Sequence, residues 1–100
     1  MRVRVAQQAR ADLDEIWIYI AQESGNSSTA ARVIESIVDK FSLLARFPLV
    51  GKSLKSEQRP LIRTFLAGNY LIFYHPQGDE LRILRVIHAS RDAFAVFAGE

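Results

Sequence analysis

Leu61-Ile62-Arg63-Thr64-Phe65-Leu66-Ala67-Gly68-Asn69-Tyr70-Leu71-Ile72-Phe73-Tyr74-His75 is the stretch on which the fold turns. Residues 61–66 and 70–75 are rich in β-branched, aromatic and leucine residues. Gly68-Asn69 lies between them as a tight-turn signal, so the two runs read as a β-hairpin. Pro76-Gln77-Gly78-Asp79 is a second turn, and residues 81–87 form a third strand. The three strands make an antiparallel meander. By alternation, Tyr70, Ile72 and Tyr74 face one way, and Leu71 and Phe73 the other. In the last strand Leu81, Ile83 and Ile87 oppose Leu84 and Val86. Both faces of these two strands are apolar, so both need cover.

Upstream, the period of the apolar residues changes. Ala9, Leu13, Ile16, Trp17 and Ile20 are spaced as one face of an amphipathic helix over residues 8–24, with Asp12, Asp14, Glu15 and Glu23 largely off the stripe. Gly25-Asn26 stops it, since both tolerate the left-handed conformation past helix ends. Ser27-Ser28-Thr29 supplies N-cap hydroxyls for a second helix, whose stripe is Ala30, Ile34, Ile37, Phe41 and Leu44. Pro48 ends it and disfavours helical geometry at Phe47. The short connection implies an antiparallel helical hairpin. Before it, Arg2-Val3-Arg4-Val5 alternates as a short edge strand. Residues 51–59 are polar and aperiodic, and read as a loop. One hairpin covers one sheet face. The other face falls to the tail, with Phe94 and Phe97, or to another chain. The tail, residues 91–97, forms one helical turn or lies extended.

The chain has 100 residues, 49% apolar and 24% charged, as expected of a single globular domain over residues 1–100 and not of a disordered chain. Cysteine is absent, which excludes disulfides and thiolate metal sites. The N-terminus is too polar for a secretory signal, and the longest apolar run, residues 16–21, is far shorter than the ~18–20 residues of a membrane span. A cytoplasmic location is the expectation. The net charge of +2 resides wholly in the second half. There Lys52, Lys55, Arg59 and Arg63 crowd against the single acid Glu57, as a solvated loop or as a patch facing an anion or a partner.

No Gly-rich phosphate loop, nucleophile elbow or His/Asp metal spacing is present in the sequence. Of the two histidines, His75 abuts a turn proline and reads as a solvent-facing strand end. His88 ends the last strand, with Arg91 and Asp92 close behind. Ribonucleolytic cleavage needs a base for the 2′-hydroxyl, cations for the developing charge and an acid for the leaving oxygen. His88 would be base or acid, Arg63, Arg91 and Lys52 would supply charge, and Tyr70 or Tyr74 would donate a proton. The plainer reading bonds His88 to Asp92 or to backbone. It makes Arg91 and Asp92 a local ion pair or turn cap, and packs Trp17 in the core.

Four segments occur in order: Ala11-Asp12-Leu13-Asp14-Glu15-Ile16-Trp17-Ile18-Tyr19-Ile20-Ala21, Leu44-Ala45-Arg46-Phe47-Pro48-Leu49-Val50-Gly51, Gly68-Asn69-Tyr70-Leu71-Ile72-Phe73-Tyr74, and Ile83-Leu84-Arg85-Val86-Ile87-His88-Ala89-Ser90-Arg91-Asp92. With these the chain resembles the RelE/ParE superfamily of type II toxin–antitoxin toxins, and within it the ParE branch. The resemblance implies an α+β fold in βααβββ order, with a helical hairpin packed on an antiparallel sheet. It also implies a toxin held in a hetero-oligomer by a cognate, ParD-like antitoxin. ParE-like members poison DNA gyrase, whereas RelE-like members are ribosome-dependent mRNA endonucleases; a non-toxic member retaining antitoxin binding is a third alternative. The apolar tail Ala93-Phe94-Ala95-Val96-Phe97-Ala98-Gly99 departs from a nuclease-like end, which favours the gyrase reading. On that reading Arg59, Arg63, Arg91, Phe94 and Phe97 are candidates for target binding, with no catalytic residue. On the nuclease reading His88 and Arg91 are the catalytic candidates. No cofactor, metal, membrane or sequence-specific DNA contact is expected.

Overall fold

A computed structural model describes residues 1–54 and 61–99. Along the chain run β1 (Arg2–Val5), α1 (Gln7–Ser24), α2 (Ser27–Arg46), β2 (Lys52–Ser53), β3 (Arg63–Ala67), β4 (Tyr70–Gln77), β5 (Glu80–His88) and α3 (Ala93–Ala98). The strands form one sheet in the order β1-β5-β4-β3-β2. The meander of β3, β4 and β5 is antiparallel, as the hairpin signals predict. The sheet as a whole is mixed, because β1 pairs with β5 in parallel, Arg2 opposite Glu80 and Val5 opposite Ile83. A parallel pair needs a crossover, and the helical hairpin belongs to it. β1 occupies the edge, as its arginines suggest. β2 lies within the stretch read as a loop. Its two residues, paired with Thr64 and Arg63, are too few to show a period.

The helix boundaries follow local chemistry. Gly25 adopts φ 66° and ends α1. The cap of α2 is not one of the hydroxyls but Asn26, whose Oδ1 accepts the Ser28 N–H at 2.9 Å and its Oγ–H at 2.7 Å. α2 ends at Phe47, the residue before Pro48. Pro76 lies inside β4 rather than in a turn. β3 begins opposite Tyr74, so Pro76 lies past the paired stretch of β3, where its missing N–H breaks no bond of that ladder.

Two apolar clusters sandwich the sheet. On one face Ala9, Ile37, Phe41 and Leu44 of the hairpin pack on Ile72, Tyr74, Leu81, Ile83 and Val86. On the other, Phe73, Ile87 and Ile62 meet Ala93 and Phe97 of α3. The Phe73 and Phe97 rings stack at 4.4 Å, and Phe94 meets Phe73 edge-on at 5.7 Å. The tail therefore covers the second face, as a short helix. Strict alternation fails at one point. Phe73 faces Arg85 and Tyr74 faces Ile83, so Leu84 is an extra residue, a β-bulge. The bulge reverses parity in β5: Val86, not Ile87, joins Leu81 and Ile83 on the hairpin face. Trp17 is also displaced from expectation. It is 39% exposed rather than in the core. His75 is half-buried, and its Nε2 is shielded from solvent with no hydrogen-bond partner.

Tyr74 ties the end of α2 to the sheet. Its hydroxyl donates to the Pro48 carbonyl at 2.8 Å and accepts the Gly51 N–H at 2.9 Å. Burial raises its phenol above the usual range, so it keeps the proton it donates at neutral pH. Gly51 is required by this approach: a Cβ there would collide with the Tyr74 hydroxyl and lie 2.7 Å from the Thr64 carbonyl oxygen. Tyr74→Phe leaves the Gly51 N–H unsatisfied and is expected to cost about 1–3 kcal/mol. Urea unfolding reads the loss as a lower midpoint; an unchanged midpoint would show that this tie contributes nothing.

Candidate functional site

The site begins with a buried ion pair. Asp12 lies on the face of α1 that turns toward β5. Its carboxylate accepts Arg85 Nε at 2.7 Å, Arg85 Nη2 at 3.0 Å and the backbone N–H of Val86 at 2.9 Å. The side chains are 6% and 11% exposed. β1 pairs with β5 only as far as Val5 opposite Ile83, and beyond that point Asp12 takes the Val86 N–H. One carboxylate thus joins α1 to β5 at the point where the strand is irregular.

Beside this pair, α1 and the adjoining ends of β4 and β5 enclose a cleft of about 670 Å³. Its apolar floor includes Ile16, Ile20, Val33 and Val86. Around the rim stand Glu15, Tyr19, Tyr70, His88 and Arg91. The His88 ring meets the Tyr70 ring edge-on at 5.0 Å. The Ser90 backbone N–H donates to His88 Nδ1 at 3.0 Å, and Ser90 Oγ lies 2.6 Å from the same atom. A backbone N–H can only donate, so Nδ1 is an acceptor and the ring hydrogen sits on Nε2. Burial, helped by nearby Tyr19, raises the Tyr70 phenol, which is therefore neutral at physiological pH. Asp12 neutralises Arg85. Arg91 is exposed at the rim. The cleft thus offers an apolar floor, neutral donors, an exposed guanidinium and an exposed carboxylate at Glu15, a set suited to recognition.

The residues expected to carry function are dispersed. Of those described, His88, Arg91 and Tyr70 line the cleft. Asp92 does not bond His88; it caps α3 by accepting the Ala95 N–H at 3.2 Å. Arg63 serves the loop after α2, donating to the Leu49 carbonyl at 3.3 Å and the Gly51 carbonyl at 2.7 Å. Phe97 is buried beneath the sheet's second face, while Phe94 is 49% exposed beside it. Arg59 lies outside the described residues. Lys52 is exposed on β2. Among the described residues no three His, Cys, Asp or Glu side chains gather as a metal site, and no helix is long and apolar enough to cross a membrane.

Sequence reasoning missed Asp12 and Arg85. The signal for Asp12 was present: it falls three residues after Ala9 and four before Ile16, on the apolar stripe. An acid on a buried stripe requires a partner. Strict alternation from Leu81 and Ile83 reaches Arg85, so the partner also lay on the face that alternation assigns to the hairpin.

The family model for the ParE toxin of type II toxin–antitoxin systems matches residues 3–93. The chain belongs to the ParE toxin family. Toxin ParE1 of Caulobacter vibrioides is 32% identical over 94 residues, covering 92% of this chain and 93% of that protein. Toxin ParE3 of the same organism is 30% identical over 88 residues, covering 86% and 84%. Among solved structures, the chromosomal ParDE toxin–antitoxin system of P. aeruginosa superposes with a TM-score of 0.75 at 26% identity, covering 88% of this chain and 95% of that one. The RelBE2 toxin–antitoxin complex of Mycobacterium tuberculosis gives 0.61 at 30% identity, covering 87% and 95%. The βααβββ order expected from the superfamily resemblance is therefore found, with β2 and α3 added in this ParE-family chain.

Proposed function

We propose that this ParE-family toxin acts by binding DNA gyrase, and that a cognate, ParD-like antitoxin neutralises it by covering its exposed apolar surface. The observation that carries the first half is the state of the cleft. The histidine that a nuclease would use has Nδ1 engaged by Ser90 and presents a donor at Nε2. Of the two arginines at the cleft, Arg85 is locked to Asp12 while Arg91 is exposed, and the neighbouring tyrosine is neutral. Abstraction of a 2′-hydroxyl proton needs a free lone pair, which His88, the arginines and Tyr70 do not present in this arrangement, leaving the exposed Glu15 carboxylate on the rim as the group that carries one. Binding and trapping of another enzyme needs only surface.

The antitoxin half is supported by the two solved structures the chain resembles, which come from a ParDE toxin–antitoxin system and a RelBE2 toxin–antitoxin complex. It is supported also by Ile18 and Tyr19 of α1, both half or more exposed, with Trp17 beside them. Tyr19 continues this apolar face to the rim of the cleft. A segment that folds on binding suits such a face, with side chains set into the cleft.

The test is induced expression of the wild type and of His88→Ala, with growth and messenger integrity followed together. The imidazole is half-buried at a strand end, so the variant is expected to fold, as circular dichroism would verify. Both forms should arrest growth with messenger intact. Loss of toxicity in His88→Ala, together with cut messenger in the wild type, would replace the gyrase reading with the nuclease one.

A further inference from the structure

We infer that residues 47–50 form the surface through which this toxin docks on its target protein, by inserting apolar side chains into an acid-rimmed hollow. The inference rests on the gyrase reading above and names the surface that would serve it.

Phe47, Leu49 and Val50 are 52%, 69% and 54% exposed. They follow one another on a single loop, whereas isolated exposed apolar residues need no explanation. The loop is held from within. Phe47 N–H bonds the Leu43 carbonyl at 2.9 Å, and Val50 N–H bonds the Phe47 carbonyl at 3.1 Å. The Pro48 carbonyl is taken by Tyr74, the Leu49 carbonyl by Arg63, and both backbone groups of Gly51 by the same two side chains. These bonds fix the backbone of the segment, and Phe47, Leu49 and Val50 are left exposed. A segment fixed in this way loses little conformational freedom on binding, which is the condition for a tight contact from a small surface.

The surroundings set the partner's chemistry. From Lys40 to Ser56 the sequence carries Lys40, Arg46, Lys52 and Lys55 and no acid. The Arg46 guanidinium lies 5.5 Å from the Phe47 ring centre, and Lys52 is exposed on the adjoining strand. An apolar centre with a cationic rim calls for an apolar hollow with carboxylates around it. The loop frames a wide, shallow dent rather than a closed cavity, which suits a folded protein and not a small molecule. A peptide that folds on binding suits the cleft beside α1 better. The two surfaces meet β4 at different points, Tyr70 at its start beside the cleft and Tyr74, four residues on, under the loop.

The experiment is inhibition of supercoiling by purified gyrase, with wild type, Leu49→Glu and Lys52→Glu. Leu49 is exposed, so circular dichroism and Tm should match the wild type. Leu49→Glu is expected to raise the half-inhibitory concentration roughly 30-fold or more, as loss of an interface anchor does. Lys52→Glu should raise it less, by an amount that shrinks as salt increases. Both variants should bind the purified antitoxin as the wild type does. If the wild type inhibits and Leu49→Glu inhibits equally well, the assignment is wrong while the gyrase reading stands. If Leu49→Glu inhibits normally but loses the antitoxin, the surface belongs to the antitoxin and the assignment is wrong. If the wild type binds a DNA duplex alone and Leu49→Glu does not, the partner is DNA and the assignment is wrong. If the wild type does not inhibit at all, the gyrase reading falls and takes this assignment with it.

Discussion

Asp12→Ala should unfold this protein or bring it close to unfolding. The substitution removes three bonds from a carboxylate only 6% exposed. It leaves the Arg85 charge in a largely buried position without its neutralising partner, and the Val86 N–H unsatisfied at the bulge. Breaking one side of a buried pair costs about 3–5 kcal/mol. Domains of this size have a total stability of roughly 5–15 kcal/mol, so the loss takes a large share. At ~4–8 °C per kcal/mol, Tm should fall by at least about 12 °C. Replacing the pair together, as Asp12→Ala with Arg85→Met, should be less damaging than Asp12→Ala alone, because no uncompensated charge remains. Thermal unfolding of the three proteins decides. A Tm for Asp12→Ala within a few degrees of wild type would remove the ion pair from its place as the joint between α1 and β5.

The second large effect is expected at Phe73. Its ring is fully buried, stacked on Phe97 and met edge-on by Phe94. Phe73→Ala opens a cavity between the sheet and α3 and should cost about 3–5 kcal/mol in urea unfolding. Phe94→Ala, at a half-exposed position on the same helix, should cost far less, with little cavity created. Equal effects would mean that α3 is held through its outer surface rather than through the stack. A small effect at both would mean that the second face of the sheet is covered by something other than α3.

What could be read from the sequence divides along physical lines. The hairpin of β3 and β4, the two helices and the edge position of β1 carry strong local signals: Gly68-Asn69, a 3.6-residue apolar period, Gly25, Pro48 and alternating arginines. Two apolar faces on β4 and β5 correctly demanded two covers, and α3 proved to be the second. The parallel pairing of β1 with β5 has no local signal, since it is decided by the crossover. The bulge at Leu84 was invisible for a related reason. It adds one residue to a run already apolar on both faces, so no interruption of pattern marks it. At the site, Asp12 and Arg85 both fall on apolar stripes, beside Ala9 and Ile16 in α1 and after Leu81 and Ile83 in β5, so their pairing was open to reading from the pattern; the Val86 N–H that joins it was not. His88 and Arg91 were legible because they stand alone among common residues at a strand end. The reading that bonds His88 to backbone holds, through the Ser90 N–H, whereas the Ser90 hydroxyl beside it gave no sign, because a serine two residues beyond a histidine is unremarkable in any turn.

The cleft and the loop of residues 47–51 imply a toxin that works by contact. The most direct measurement is supercoiling of relaxed plasmid by purified gyrase, with this chain added and no ribosome or messenger present. The expected result is a dose-dependent loss of supercoiling and a build-up of cleaved plasmid trapped on the enzyme, equal for wild type and His88→Ala and relieved by the antitoxin. Undiminished supercoiling at every dose, with ribosome-bound messenger cut by the same preparation in a translation reaction, would contradict it.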